Sequence, residues 1–430
     1  MANEKLRSFL GFFRKNLKSR RLFWLCVILL SGWNMTSIFI LTINRYNTDS
    51  TSIGVTTTYI RWTNTFPAVS ICLSKNRITS EFSNAVKRRV AGDAPPSYIY
   101  IRTIFDYLFV NPNNFYIKGE YCKDLNSTCG VDILDMRKEL LARSCNQFVE
   151  KIYFSEKLMA NCEDIFKFHE LEMGYCFLAN NLLDYKTIDL MPLKYSPSDK
   201  YRNLKLILRS GLTYRYDLYI HSPEDVPYFN AVSYTIASDP SVHSFNVEEI
   251  YNNDDVIYEN VNQRMCKFPT ESNDKHIFYS FSNCMSQIRN EMEVKLCNCT
   301  LFANSKEDSS KYCGIKGLSC LDEANLSGKV KDFVGTTLAC LPSCVEQQIN
   351  YVGSRETKSE EYPDANYVEI EIASAPSARY YRTVTQTKLD LVVAIGGVIG
   401  LFIGASLLNI LEVISLLSKQ IKDLLVHNCL

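Results

Sequence analysis

Two long runs of apolar residues lie near the two ends of the chain, and both predict membrane-spanning helices. The first covers residues 22–43 and the second residues 389–417. As a helix the first run measures about 33 Å, enough to cross a hydrocarbon core of roughly 30 Å. The second would measure about 43 Å, so we expect it to tilt or to break. A cleaved signal peptide is the alternative for the first run. The length of the run and the absence of a clear small-residue cleavage site before Arg45 argue against it.

The segment between the runs has the shorter periodicities of a folded domain. Alternating or β-branched stretches predict strands at residues 204–208, 214–220 and 367–372. Helical spacing of apolar residues predicts a helix over residues 282–295. The pattern therefore predicts a membrane α+β protein with two transmembrane helices that flank one large domain.

Charge gives the orientation of these helices. Seven basic residues and one acidic residue precede the first run, which places the N-terminus in the cytoplasm by the positive-inside rule. Lys419 and Lys422 follow the second run, so we expect a cytoplasmic C-terminus as well. The expected order is therefore a cytoplasmic tail at residues 1–21, a span at 22–43, an extracellular domain at 44–388, a second span at 389–417 and a cytoplasmic tail at 418–430. The formal net charge of zero gives no argument for a nucleic-acid partner.

Cysteines and glycosylation sequons agree with an extracellular domain. Fourteen of the sixteen cysteines lie between the two apolar runs, and dense disulfides persist in oxidising compartments. A zinc site is the alternative, because Cys297 with Cys299 and Cys340 with Cys344 loosely resemble ligand pairs. No CxxC pair or ordered Cys/His set supports that alternative. Sequons at Asn126, Asn298 and Asn325 predict N-glycans.

The second run has features that a simple anchor does not need. Its glycines are Gly396, Gly397, Gly400 and Gly404. Close packing of helices would explain part of this stripe. The acidic residues Asp390 and Glu412 are costly in a membrane unless they face water or a partner. Rings of carboxylates and backbone carbonyls attract and conduct cations, so the run is a candidate pore helix, although packing roles for both acids stay open.

Three sets of motifs resemble the epithelial sodium channel/degenerin family, and most of all its insect pickpocket branch. Residues 66–72 read FPAVSIC, similar to a family signature that follows the first span. Residues 400–406 read GLFIGAS and resemble the Gly-x-Ser filter of the family's pore helix. The cysteines from 266 to 344 resemble the family's cysteine-rich thumb. The resemblance runs in order along nearly the whole chain.

The resemblance implies a trimeric, amiloride-sensitive, sodium-selective channel of the plasma membrane, opened by an extracellular mechanical or chemical stimulus. It implies a β-sheet palm, a finger, a knuckle, a β-ball and a helical thumb. Its partners would be sodium ions, the lipid bilayer, identical or related subunits, and an extracellular ligand that the sequence does not identify. No bound cofactor is needed, because the ion gradient supplies the driving force. The implied selectivity filter is Gly404, Ala405 and Ser406, and the implied pore and gate residues are Asp390, Val393, Gly396, Gly397, Gly400 and Glu412.

The resemblance also implies a pairing of the cysteines. One bond would cross the palm and four would nest in the thumb, with two more assigned by proximity. The implied pairs are Cys72–Cys176, Cys266–Cys344, Cys284–Cys340, Cys297–Cys320 and Cys299–Cys313. The two pairs assigned by proximity are Cys122–Cys129 and Cys145–Cys162.

Two departures from the family pattern leave alternatives open. The His-Gly pair that the family uses in gating before the first span is absent, so a divergent subunit or an N-terminally incomplete chain is expected. Val393 lies where family members usually carry a small residue, which predicts leaky activity.

A non-conducting accessory or receptor subunit of a heteromer is the main alternative. No GxSxG, HExxH or phosphate-loop motif indicates an enzyme. The FPAVSIC and GAS motifs point away from ATP-gated channels. Four extracellular histidines do not support proton gating, although acidic pairs could still sense pH.

Overall fold

The computed structural model describes most of the chain, in segments. The described residues are 17–48, 50–57, 62–74, 78–89, 98–109, 132–141, 143–209, 215–236, 240–272, 278–301, 312–324, 329, 340–356, 367–404, 411–412 and 414–418. The chain forms two compact units. The first comprises Met1–Ser52, Asp254–Arg264 and Thr383–Leu430, and the second comprises Ile53–Asn253 and Met265–Arg382.

The helices and strands of the described residues are numbered here in chain order. The helices are α1 Leu17–Thr48, α2 Ser80–Arg89, α3 Tyr98–Leu108, α4 Ile133–Leu140, α5 Cys162–Ile165, α6 Val261–Arg264, α7 Phe281–Cys297, α8 Ile315–Glu323 and α9 Lys388–Ile403. The strands are β1 Thr51–Thr56, β2 Asn64–Thr65, β3 Ala68–Ser74, β4 Val149–Phe154, β5 Lys157–Leu158, β6 Phe166–Leu171, β7 Gly174–Ala179, β8 Lys194–Tyr195, β9 Asn203–Leu208, β10 Arg215–His221, β11 Tyr234–Thr235, β12 Ser241–Asn252, β13 Glu346–Glu356, β14 Tyr367–Ile372 and β15 Arg379–Val384.

The first unit contains the two apolar helices. Within α1, the stretch Arg21–Thr48 has a mean hydropathy of 1.8 and is, among the described residues, the one helical stretch long and apolar enough to cross a membrane. None of its most apolar window is buried within the chain, as expected of a surface that faces lipid. Helix α9 packs against α1. The 16 described residues of α9 rise about 24 Å, so this part alone is shorter than a hydrocarbon core.

The second unit is built on two sheets. The larger has the strand order β1-β15-β12-β14-β9-β4-β5, with β13 paired to β12 as well. In it, β12 runs parallel to β14 and β15 and antiparallel to β13. The smaller sheet has the order β11-β10-β3-β7-β6, and β2 pairs with β8 separately. The predicted strands correspond to β9, β10 and β14, and the predicted helix corresponds to α7.

The FPAVSIC motif has a structural explanation. Phe66 is completely buried, and β3 carries buried residues along all but its last position. The Asn180 side chain donates hydrogen bonds to the carbonyl oxygens of Phe66 and Leu193, at 2.6 and 3.1 Å. A continuous run of buried residues is expected for a strand with both faces covered, and β3 also lies between β10 and β7.

Disulfides join distant parts of the second unit. Cys72 and Cys176 are direct cross-strand partners in β3 and β7. The other bonds within the described residues are Cys145–Cys162, Cys266–Cys344, Cys284–Cys340, Cys297–Cys320 and Cys299–Cys313. These are the predicted partners, five pairs from the resemblance and Cys145–Cys162 from proximity, while Cys122 and Cys129 lie outside the described residues. We use the name thumb for residues 266–344, which the last four bonds close.

Candidate functional site

Helix α9 begins with a capping box. The Thr387 Oγ1 accepts a hydrogen bond from the Asp390 N–H at 3.2 Å. In return Asp390 Oδ2 accepts bonds from the Thr387 N–H at 2.9 Å and from its hydroxyl at 2.8 Å. A carboxylate here also interacts favourably with the helix dipole. Asp390 therefore has a structural role at the start of the helix, so its presence alone does not require a water-filled pathway.

The candidate pore residues form one stripe along α9. Val393, Gly397, Gly400 and Gly404 are spaced by four, three and four residues, which places them on one face of a helix. The Val393 side chain is 64% exposed within this single chain. A methyl group added at Gly396 or Gly397 would meet no atom within 4 Å. This stripe is therefore open to whatever lies beside α9 in an assembly.

The helix ends at the predicted filter. Gly404 takes the left-handed conformation, with φ +67°, and its N–H donates to the Gly400 carbonyl at 3.0 Å. The end of a helix leaves its last carbonyl groups without intrahelical donors, and only glycine adopts this backbone conformation without strain. The end of α9 at Gly404 agrees with the prediction, made from the length of the second apolar run, that its helix tilts or breaks. Ala405 and Ser406 lie outside the described residues, and Glu412 is an exposed helical residue.

Hydrogen bonds connect the end of α1 to the segment that precedes α9 and to α6. The Ser50 carbonyl, two residues after α1, accepts hydrogen bonds from the Thr385 N–H at 2.8 Å and from the Thr385 hydroxyl at 3.1 Å. Near the end of α1, the Gln263 side chain of α6 donates to the Tyr46 carbonyl at 3.3 Å. Displacement of residues 383–387 would therefore be transmitted to the end of α1 as well as to α9.

Arg379 fixes the strand that leads to α9. Its guanidinium carbon lies 4.3 Å from the centre of the Trp62 ring and 4.4 Å from that of Tyr251. The same side chain contacts Glu249 at 3.2 Å and donates to Asn64 Oδ1 at 2.5 Å. Cation–π contacts of this kind favour arginine, because its planar group stacks on aromatic rings. No local pattern in the sequence indicates this cluster, since its members come from distant segments.

A buried charge cluster attaches the thumb to the smaller sheet. Arg289 of α7 contacts Glu172, in the turn between β6 and β7, and Glu293, one turn along α7, both at 2.9 Å. All three side chains are at most 5% exposed. Burial raises the pKa of Glu172, and the neighbouring Arg289 opposes that rise. The sequence pattern did not reveal this cluster, although Arg289 and Glu293 have the spacing of a helical ion pair.

A second group of carboxyls lies where β10 ends and β13 begins. Burial raises the pKa of Glu224 well above its usual value, and the nearby Asp225 carboxylate raises it further. Burial and the same Asp225 raise the pKa of Glu346. Ser222 connects the two elements, because its hydroxyl donates to Glu224 at 2.7 Å and accepts from the Gln347 N–H at 2.8 Å. Asp225 in turn accepts a 2.7 Å bond from the Ser282 hydroxyl in α7.

A model of a known protein family matches nearly the whole chain. A family model described as amiloride-sensitive sodium channel matches residues 7–416. Acid-sensing ion channel 1A of Danio rerio is 26% identical over 230 residues, which are 47% of this chain and 42% of that protein. Pickpocket protein 19 of Drosophila melanogaster is 21% identical over 446 residues, 93% of this chain and 86% of that protein. The matched region thus spans less than half of the first relative's length and most of the second's.

Proposed function

This chain belongs to the amiloride-sensitive sodium channel family, and we propose that it is a subunit of a trimeric, sodium-selective cation channel of the plasma membrane. Membership of a channel family indicates a sodium or cation channel subunit and not an enzyme. The trimer, the sodium selectivity, the amiloride sensitivity and opening by an extracellular mechanical or chemical stimulus are parts of the proposal. They rest on the motifs together with the following features of the first unit.

The left-handed end of α9 at Gly404 is the observation that carries the proposal. It interrupts the second apolar run directly before Ala405 and Ser406, at the position of the predicted filter. A helix end inside a membrane is tolerated where its backbone groups face protein or water. Carbonyl groups turned toward a shared axis would replace the hydration shell of a small cation. We assign Gly404, Ala405 and Ser406 to this constriction.

The remaining roles follow the stripe of α9. Asp390 would lie near the outer mouth, Val393 and the glycines Gly396, Gly397 and Gly400 would line the gate, and Glu412 would lie on the cytoplasmic side. In this arrangement the second span covers residues 389–417, both termini are cytoplasmic and residues 44–388 are extracellular.

An assembly of several subunits is required by the geometry of a pore. Two helices from one chain do not enclose a water-filled path, so the open stripe of α9 must face other copies. The space beside Gly396 and Gly397 would admit a neighbouring helix at short distance. Identical or related subunits would supply that helix, and the exposed apolar surface of α1 would face lipid.

The proposal is tested by measuring the ionic current that the chain produces. We expect expression of the chain, alone or with a related subunit, to produce an inward current that amiloride blocks and that reverses near the sodium equilibrium potential. Ser406→Cys should shift the reversal potential toward that of potassium, because it alters the constriction. Ser415→Cys, in the exposed helical segment beyond it, is the matched control and should not. A selectivity that no Ser406 substitution changes, in any subunit combination, would reject the pore assignment.

A further inference from the structure

Asn298 is exposed and occupies a position that tolerates a large modification. It follows the last residue of α7 and takes the left-handed conformation, with φ +55°, in which its N–H donates to the Val294 carbonyl at 2.8 Å. Asparagine adopts this backbone conformation more readily than most residues. A sugar on the side chain would therefore extend away from the described residues of the folded thumb.

Thr300, the third residue of the same sequon, is buried, whereas Asn298 is exposed. Thr300 is only 4% exposed. Its Oγ1 lies 2.8 Å from Glu293 Oε2 and 3.2 Å from Asn290 Oδ1. Its carbonyl accepts the Cys313 N–H at 2.9 Å. The hydroxyl that makes Asn-x-Thr an acceptor is thus sequestered once the thumb has folded.

The middle residue of the sequon locks this arrangement. Cys299 is bonded to Cys313, 14 residues later in the chain. The first turn of α8 closes over the bond, because a Cβ on Gly317 would collide with the Cys299 Sγ. In the folded thumb the Cys299–Cys313 bond therefore holds Thr300 beside Cys313, whose N–H donates to the Thr300 carbonyl.

We propose that Asn298 receives an N-glycan only before the thumb closes, so that glycan transfer and the Cys299–Cys313 bond compete for the nascent chain. The proposal rests on the extracellular placement of residues 44–388. In the transfer, the Nδ2 of Asn298 forms a bond to C1 of an oligosaccharide carried on a lipid pyrophosphate. The C1–O bond to the pyrophosphate breaks, the lipid pyrophosphate leaves and Nδ2 loses one proton. No oxidant enters this step. Formation of Cys299–Cys313 instead proceeds by exchange with the disulfide of an oxidoreductase in the oxidising compartment, which takes up two electrons and two protons and leaves as a dithiol. The two reactions are therefore separable.

The experiment measures the glycosylated fraction of Asn298 in the full chain expressed in a glycosylating cell. Glycopeptide mass spectrometry after enzymatic release of glycans reports Asn298 separately from Asn126 and Asn325. Cys313→Ala removes the competing disulfide and leaves the sequon Asn298-Cys299-Thr300 unchanged. Cys340→Ala is the matched control, because it also leaves one thumb cysteine, Cys284, without its partner.

We expect partial occupancy of Asn298 in the natural sequence, a higher occupied fraction in Cys313→Ala and no change in Cys340→Ala. A pulse-chase should show that Asn298 gains no glycan after the chain is complete. Full occupancy in the natural sequence, an equal rise in both variants, or a glycan added to already folded protein would overturn the proposal. Absence of a glycan at Asn298 from every variant, with Asn126 or Asn325 occupied, would overturn it as well, whereas absence at all three sequons would reject the extracellular placement on which it rests. Misfolding of a variant does not prevent the measurement, because occupancy is read from the newly made chain.

Discussion

The Arg289 guanidinium lies between two buried carboxylates, and its removal has a predictable effect. Arg289→Met would leave Glu172 and Glu293 buried without a compensating charge, which costs about 3–5 kcal/mol of folding free energy. Thermal unfolding of the detergent-solubilised chain should therefore shift to lower temperature. Adding Glu172→Gln and Glu293→Gln to the same variant removes the unpaired charges and should recover much of the loss. Equal stability of the single and triple variants would contradict this account of the cluster.

Glu224 should make the stability of the folded chain depend on pH. Its pKa is raised in the folded state, so the folded chain holds this proton to a higher pH than the unfolded chain does. The resulting stabilisation is complete below the unfolded pKa of about 4.3 and is lost as the pH rises through the raised folded value. Glu224→Gln does not ionise, and its amide oxygen still accepts the Ser222 hydroxyl bond. We therefore expect the variant to unfold at higher temperature at neutral pH, with a flatter pH profile.

The control for this prediction is Glu150→Gln, on an exposed position of β4. It should leave the pH profile of the unfolding temperature as it is in the natural sequence. A Glu224→Gln profile that is as steep as that of the natural sequence would assign the pH dependence to other groups.

The sequence predicts the contacts and relative positions of some residues but not those of others. The cysteine partners and the stripe of α9 are predictable, because a motif or a helical period fixes their relative positions. Arg289 and Glu172 are 117 residues apart, and Arg379 meets a tryptophan more than 300 residues earlier. Such contacts depend on the packing of whole elements, which no local pattern encodes. Ser406, in the candidate filter, lies outside the described residues, so its role stays a prediction.

Among the elements, α9 depends most directly on one residue at its end. An alanine at position 404 would have to adopt the left-handed conformation, at a cost of roughly 1–2 kcal/mol, or the helix would continue past this point. Either change moves the following residues, so we expect Gly404→Ala to reduce the sodium current or alter its selectivity at unchanged surface expression.

Gly32→Ala provides the matched control for that substitution. Gly32 lies within α1, and a Cβ there would meet no atom within 4 Å. The current should therefore be unaffected when position 32 is changed. Equal effects of the two substitutions would indicate that glycine at 404 is not needed for the end of the helix.

The sequence predicts elements best where burial and period agree. β14 has the predicted bounds, and β9 and β10 differ from theirs by a residue. The alternating and apolar patterns there reflect one or two covered faces. The pattern did not reveal that β12 runs parallel to β14 and β15, because strand direction in a sheet depends on the connections and not on side-chain period.

At the scale of the whole molecule, three copies of the chain are expected to form one pore. The mass of the solubilised channel, after subtraction of detergent and glycans, should then be three times the chain mass of 49.3 kDa. Cysteines introduced along the open stripe of α9 should form cross-links between subunits. A monomeric mass in every mild detergent, with no cross-links in the membrane, would contradict the assembly.

Resting current is a property of that assembly, and Val393 makes it testable. In a trimer, three branched side chains from this position would meet near the axis and keep the α9 helices apart, so the channel should conduct without a stimulus. Val393→Ala should lower the amiloride-blocked current at rest, because smaller side chains let the helices approach.

Val392 is the matched control. It has the same side chain and 65% exposure against 64%, but it points about 100° away around the helix. Val392→Ala should therefore leave the resting current as it was. A natural channel that is tightly shut at rest would remove the hypothesis, and an equal effect of both substitutions would show that the stripe does not face the axis.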